Sequence, residues 1–344
     1  MSAERRVLPE VARYESSTGV RIYSIACDAF PGLIANIYLL LEAGPPTLVD
    51  TGSGFGDANK QLLAGLEKIR ADFDEPIALA DIRRIVLTHG HIDHIGGLTY
   101  LHRKLPQAEI AIHELDLRIL TNYEERVAVA KKTFRAFLQQ AGVEKDLLPA
   151  FMDIYGYSKK NVNSLPVTHP LVDGQELDGL RFIHTPGHCP GQVCIGLGNV
   201  VLSADHILPE ITPHQAPESI MPYTGLGHYL ESLDKMAHTG GFDLGLGGHG
   251  PPIREFYKRV AEIRESHVRK LDKISVIIRD SPEPLTTSQI SKQLYTHVMG
   301  FHTLLALEEV AAHVEYLYQH GKLAIANLDQ YQSEDNPAIR YVPA

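Results

Sequence analysis

The stretch Thr88-His89-Gly90-His91-Ile92-Asp93-His94 packs four potential metal ligands into six residues, and any fold this chain adopts has to let them converge. Imidazoles favour zinc, iron or copper over calcium and magnesium, so the cluster asks for a transition metal. Upstream, Asp81–Leu87 reads as a short apolar strand, and downstream Gly96–Lys104 has helical spacing, which places the ligands on a strand-to-helix loop. Rigid α/β scaffolds commonly carry their chemistry on such loops. On a helix His91 and Asp93 would point to different sides, so convergence calls for a non-helical turn. A loop whose histidines merely find hydrogen-bond partners would suit one histidine better than four clustered ligand types.

At 344 residues the chain can bury a core without covalent staples, as one large domain with a small one or two of middling size. The formal net charge of -10 argues against a protein whose main task is holding nucleic acid electrostatically. Cys27, Cys189 and Cys194 are odd in number and lack disulfide-framework spacing, which fits a reducing, cytoplasmic compartment. The opening residues lack the apolar core of a secretory signal, and the uncharged run Ile34–Leu41 is far too short to cross a bilayer.

In chain order, strands are expected at Val20–Ile25, Ile34–Leu41 and Thr47–Asp50. Thr51-Gly-Ser-Gly-Phe-Gly56 then leads into a helix over Ala58–Arg70; the loop lacks both the P-loop ending and the dinucleotide spacing, so no nucleotide is assigned. Asp50 is expected to support a ligand or form a turn. Ala108–His113 is a further strand, with no role given to His113. Residues 115–160 read as a helical insertion, in which Phe134, Phe137, Phe151, Met152, Tyr155 and Tyr157 could wall a pocket, although each singly suits ordinary helix packing. Strand ends then deliver His188 in Thr-Pro-Gly-His, Asp205 after an apolar hairpin, and His249 in Gly-Gly-His-Gly.

Taken in this order, Thr88–His94, His188, Asp205 and His249 resemble the metallo-β-lactamase superfamily over roughly residues 20–255. The resemblance implies an α/β fold, the αβ/βα four-layer sandwich, with a metal site at one edge between two sheets. It further implies that His89, His91 and His188 hold a first metal, that Asp93, His94 and His249 hold a second, and that Asp205 bridges them. Two divalent ions are the implied cofactors, zinc first, with iron or manganese as alternatives. Such ions can share one water and lower its pKa toward neutrality; Asp93 is the residue expected to orient that nucleophile and handle its proton. Where the family commonly places glycine before the bridging carboxylate, this chain has Ala204, which is expected to take an ordinary backbone conformation.

Beyond residue 255, a long amphipathic helix over Ile253–Ile278, a helix over Leu285–Leu294, another over Thr303–His320 and two short strands resemble a winged helix, giving domains 1–255 and 256–344. From Lys258 to Ala344 there are 10 Lys/Arg and 11 Asp/Glu, a net of 10 - 11 = -1, and the would-be recognition helix carries Glu308, Glu309 and Glu315 without one Lys or Arg. The module is therefore expected to be a structural or pocket-closing appendage rather than a nucleic-acid reader. His214 and Tyr223, on the loop leaving Asp205, rank first as substrate contacts, with His206 and His228 behind them.

The expected activity is that of a hydrolase acting on an ester-like bond of a small acyl substrate, a thioester first and a lactone or other ester next. No membrane partner is expected, and self-association into a homodimer is left open. A metal-dependent endoribonuclease, a mono-iron persulfide dioxygenase and a non-catalytic metal-site sensor are the alternatives.

Overall fold

Alternating apolar residues over 20–41 make a long hairpin. In the computed structural model, which describes residues 7–157 and 162–344 apart from the side chain of Tyr157, β2 (Arg21–Phe30) pairs antiparallel with β3 (Leu33–Leu41), Arg21 facing Leu41. The first strand runs five residues past its expected end because Cys27 and Ala29 continue the buried series. With β1 (Ala12–Glu15), β4 (Thr47–Val49), β5 (Arg84–Val86), β6 (Glu109–His113) and β7 (His169–Leu171) they form a sheet in the order β1 to β7, parallel from β4 onward. A second sheet has the order β12-β11-β10-β9-β8, from β8 (Glu176–Leu177), β9 (Leu180–His184), β10 (Val193–Leu197), β11 (Val200–Ala204) and β12 (Leu244–Gly247).

Strand periodicity assigns each side chain to a layer. Along β3, Ile37, Leu39 and Leu41 join a cluster with Leu62, Leu66 and Ile69 of α1 (Ala58–Asp72), whereas Tyr38 and Leu40 join a second cluster between the sheets. Gly65 lets α1 lie close to the sheet, since a Cβ there would fall 2.3 Å from Ile25. From the second sheet, Val193, Ile195 and Leu202 face inward, while Cys194 and Val201 face α7 (Leu226–His238) and the start of α8 (Phe256–Arg279). Helix, sheet, sheet, helix is the expected four-layer order.

The metal loop is partly helical, contrary to expectation: His91 caps α2 (Ile92–Ile95), Asp93 and His94 lie on it, and α3 (Leu98–Lys104) follows. Convergence is preserved because His89 and His91 stay on the extended approach. Among the described residues the insertion comprises three helices, α4 (Leu117–Thr121), α5 (Tyr123–Gln140) and α6 (Leu148–Tyr157).

The C-terminal region has winged-helix-like order: α9 (Thr287–Leu294), α10 (Phe301–Gln319), and a sheet in the order β13-β15-β14 from β13 (Leu285–Thr286), β14 (Leu323–Ile325) and β15 (Arg340–Pro343), with α11 (Leu328–Ser333) between the last two strands. Thr286 caps α9 through a reciprocal box with Gln289. The wing has three strands, not two, because Leu285 and Thr286 pair with β15. Phe134, Phe137 and Phe151 of the insertion do not wall an open pocket; they are buried against Leu304, Leu307 and Ala311 of α10. Tyr155 stacks on Phe134 with ring centroids 4.3 Å apart, and the side chain of Tyr157 lies outside the described residues. α8 serves two clusters, with Phe256, Val260 and Ile263 under the second sheet and Ile274 and Ile278 under α10. Among the described residues no helix is long and apolar enough to cross a membrane.

Candidate metal centre

Strands that run parallel end at the same edge, and the pairs β4–β5 and β11–β12 are parallel. The residues just past β4 and β5 are Asp50 and His89, and those just past β9, β11 and β12 are His188, Asp205 and His249, so each sheet brings its own set to one edge, and the Asn36 backbone amide, donating to the Gly248 carbonyl at 2.7 Å, ties the two edges into one rim. They form two groups, His89, His91 and His188 in one, and Asp93, His94, Asp205 and His249 in the other, each with ligand atoms within 4.8 Å of one another.

The atoms that converge are specific. His89 Nε2 lies 3.1 Å from His91 Nδ1. His249 Nε2 lies 3.3 Å from both Asp93 Oδ2 and Asp205 Oδ2, and His94 Nε2 lies 3.4 Å from Asp205 Oδ1. Asp205 reaches the other group as well, with Oδ2 3.6 Å from His188 Nε2.

The far side of each ring is held. Asp50 Oδ2 meets His94 Nδ1 at 2.7 Å and also accepts from the Thr88 hydroxyl, while its Oδ1 accepts from the Thr88 amide. His249 Nδ1 meets the Ile34 carbonyl at 2.6 Å, and His188 Nδ1 meets the His214 carbonyl at 2.7 Å. Such outer partners fix the tautomer that points Nε2 inward. The loop backbone is held by Asp116, which accepts from the Gly90 amide at 2.9 Å. Asp116 is a functional neighbour the sequence reading passed over; a carboxylate three residues past a strand end was its signal, as a carboxylate at a strand end was for Asp50.

The two groups differ electrically. Burial pushes His89 well below its ordinary pKa, helped by His94 and His91, and burial lowers His188 too. At His94 burial is outweighed by Asp205, Asp50 and Asp93, which hold it well above the usual range, and at His249 Asp205 does the same, to about 10. Burial opposes the ionisation of Asp205, yet His249 and His94 hold its pKa well below the carboxylate range. His94 Nε2, His188 Nε2 and Asp205 Oδ1 are buried without a hydrogen-bond partner, and a buried polar atom left so costs about 1–3 kcal/mol. Neutral imidazoles in one group, carboxylates with imidazoles in the other, and inward-facing orphan atoms fit divalent transition-metal ions.

Other expected site residues are placed differently. The His214 side chain turns away from the rim, its Nε2 2.9 Å from Glu308 Oε2 on α10, and only its carbonyl serves the centre. Tyr223 is 47% exposed with its ring toward His228. His206 is fully buried against Tyr229. Glu308, Glu309 and Glu315 do not decorate a solvated face; they take hydrogen bonds from His214, Gln215, Glu218 and Ser219. α7 begins at Leu226, directly after the loop that carries Tyr223.

Residues 30–275 match the family model for the metallo-beta-lactamase superfamily. A protein of Bacillus subtilis (strain 168) named "Probable metallo-hydrolase YqjP" is 23% identical over 82% of this chain and 87% of its own length. The "Atrochrysone carboxyl ACP thioesterase" of Aspergillus chevalieri is 23% identical over 80% of this chain and 70% of its own. Among solved structures, a metallo-beta-lactamase family protein from Thermus thermophilus superposes with a TM-score of 0.74 at 26% identity, covering 94% of this chain and 98% of that one.

Proposed function

Because the chain belongs to the metallo-β-lactamase superfamily, we propose that it is a binuclear metal-dependent hydrolase of ester-like bonds, with an acyl thioester as first substrate class and a lactone or other ester next. The observation that carries this reading is Asp205, whose Oδ2 stands 3.6 Å from His188 and 3.3 Å from His249 and so joins the two groups. His89, His91 and His188 would hold one ion, Asp93, His94 and His249 the other, and Asp205 both, zinc being the first choice for so many imidazoles. Bound there, two ions supply an acidified water and a Lewis acid for the developing oxyanion. Asp93 Oδ2 faces the second group, 3.3 Å from His249 Nε2 and 4.0 Å from His94 Nε2, and would orient the attacking water and take its proton. Asp50, Ile34 and His214 hold the rings of His94, His249 and His188 in place for that step.

The thioester preference is supported by the name of the Aspergillus chevalieri relative. The cysteines, all unpaired and buried, agree with the reducing cytoplasm where we place the protein. Metal analysis of the purified protein, followed by a panel of acyl-thioesters, lactones and short RNAs, tests the proposal. Two equivalents of metal and thioester cleavage that Asp93→Asn lowers by about a hundredfold or more are expected, from the size of general acid–base effects. Absence of bound metal and of metal-dependent activity would reject it; RNA cleavage lost in His94→Ala, with thioesters untouched throughout, would replace it by the nuclease reading.

A further inference from the structure

We propose that α10 positions the metal centre: Glu308 and Glu309 anchor the loop whose His214 carbonyl orients His188. The inference rests on the proposed role of His188 as a ligand. The outer partners of His94 and His249 belong to the sandwich itself, Asp50 following β4 and Ile34 lying in β3. The partner of His188 is different. His214 stands on the irregular stretch between Asp205 and α7, which has no ladder of its own to fix a carbonyl to the tolerance an imidazole needs.

Arg259 of α8 holds the start of that stretch at the Leu208 and Ile211 carbonyls, and residues 214–219 hang on α10. His214 Nε2 is 2.9 Å from Glu308 Oε2, the Gln215 amide donates to Glu309 Oε2 at 2.8 Å, and the Glu218 and Ser219 amides donate to Glu315 at 2.6 and 3.1 Å. At 3.6 residues per turn, positions 308, 309 and 315 span an arc of about 120°, one face of the helix. Glu309 is braced from behind, its Oε1 taking the ammonium of Lys270 from α8, so its buried charge is paired and its second oxygen serves the loop. A helix whose acids were there for solubility would expose them, yet Glu309 is only 6% exposed. The line of contact is continuous from Lys270 through Glu309 and Glu308 to residues 214–215 and then to His188 Nδ1. Glu308 and Glu309 are positioning residues.

The test compares wild type with Glu308→Ala, Glu308→Gln, His214→Ala and His188→Ala, reading zinc affinity by chelator competition and the visible spectrum of the cobalt-substituted protein. Glu308→Ala and His214→Ala are expected to weaken one of two metal equivalents by about 10- to 100-fold, as loss of outer partners does, and to shift the cobalt bands, leaving the other equivalent unchanged. Glu308→Gln, which still accepts from His214, is expected to restore most of the affinity. Combining Glu308→Ala with His214→Ala should add little to either. His214→Ala leaves α10 intact and carries the test if Glu308→Ala does not fold. Wild-type affinity and spectrum in both alanine variants, with His188→Ala losing one equivalent, would overturn the positioning role alone; two tight equivalents in His188→Ala would overturn the ligand assignment and this inference with it.

Discussion

Ala204 stands immediately before Asp205 with φ of 44°, in the left-handed region rather than the ordinary conformation its residue type leads one to expect. An alanine side chain there costs about 1–2 kcal/mol, and the register between β11 and β12 shifts at the same point. The strain turns the chain so that Asp205 leaves the strand toward both ligand groups, a use of backbone strain common at functional sites. Glycine would relieve it while losing about 0.5–1 kcal/mol to its greater freedom when unfolded, so Ala204→Gly is expected to stabilise by at most about 1.5 kcal/mol in urea unfolding, with metal content unchanged. Asp50, at φ of 64°, is a second case. Its carboxylate serves Thr88 and His94 together, so Asp50→Ala is expected to lower metal affinity about 10- to 100-fold by chelator competition. The seven ligand candidates were legible because imidazoles and carboxylates in glycine-rich turns are written in the sequence. Their backbone partners, the Ile34 and His214 carbonyls, were not, since every residue has a carbonyl.

The elements that the sequence reading described one by one turn out to cover one another. α5 and α6 present Phe134, Phe137 and Phe151 at helical spacing, and such a stripe announces burial without naming its partner. The partner is α10, about 170 residues later, and the join is reinforced where the Ser288 amide donates to the Ala141 carbonyl and the Ile339 amide to that of Gln140. Gly142, at φ of 77°, permits this approach, since a Cβ there would lie 2.7 Å from Thr286. Leu307→Ala is expected to cost about 3 kcal/mol in denaturant unfolding, in the range for buried leucine truncation. Because α10 also carries the loop of His214, the same variant should speed amide exchange across residues 206–225, which a purely local cavity would leave untouched. The charge count over 258–344 was read correctly from the sequence, but the direction in which three glutamates point belongs to tertiary structure.

At the scale of the whole molecule, several histidines are buried uncharged. Burial lowers His113 to about 4, with His184 stacked on it at 3.9 Å adding to the effect, and burial lowers His267 to about 3 and His313 to about 4. A depressed folded-state value means that the unfolded chain takes up these protons first, near pH 6.5. Stability from these groups is therefore complete above about pH 6.5 and is lost as the pH falls from there toward 4, by up to about 1.4 kcal/mol per unit for each imidazole. Glu309 behaves oppositely in cause: burial would raise it, but Lys270 holds it at about 2, so its contribution is complete above about pH 4.5 and is lost as the pH falls from there toward 2, overlapping the lower end of the histidine window. Denaturant midpoints between pH 7.5 and 5 are expected to fall steeply, and His113→Phe to reduce the slope by about one proton. The His214–Glu308 contact joins residues 94 apart in the chain. A ribosome adding about 10 residues each second takes on the order of ten seconds to cover that distance. Late in that interval the sandwich strands through β12, and with them His89, His91, Asp93, His94, Asp205 and His249, have been made, while the brace for His188 has not. The nascent protein thus passes through a stage with one half of its centre assembled and the other waiting on α10, and a chain stalled after His249 but before Glu308 is expected to take up metal at the Asp93 group first.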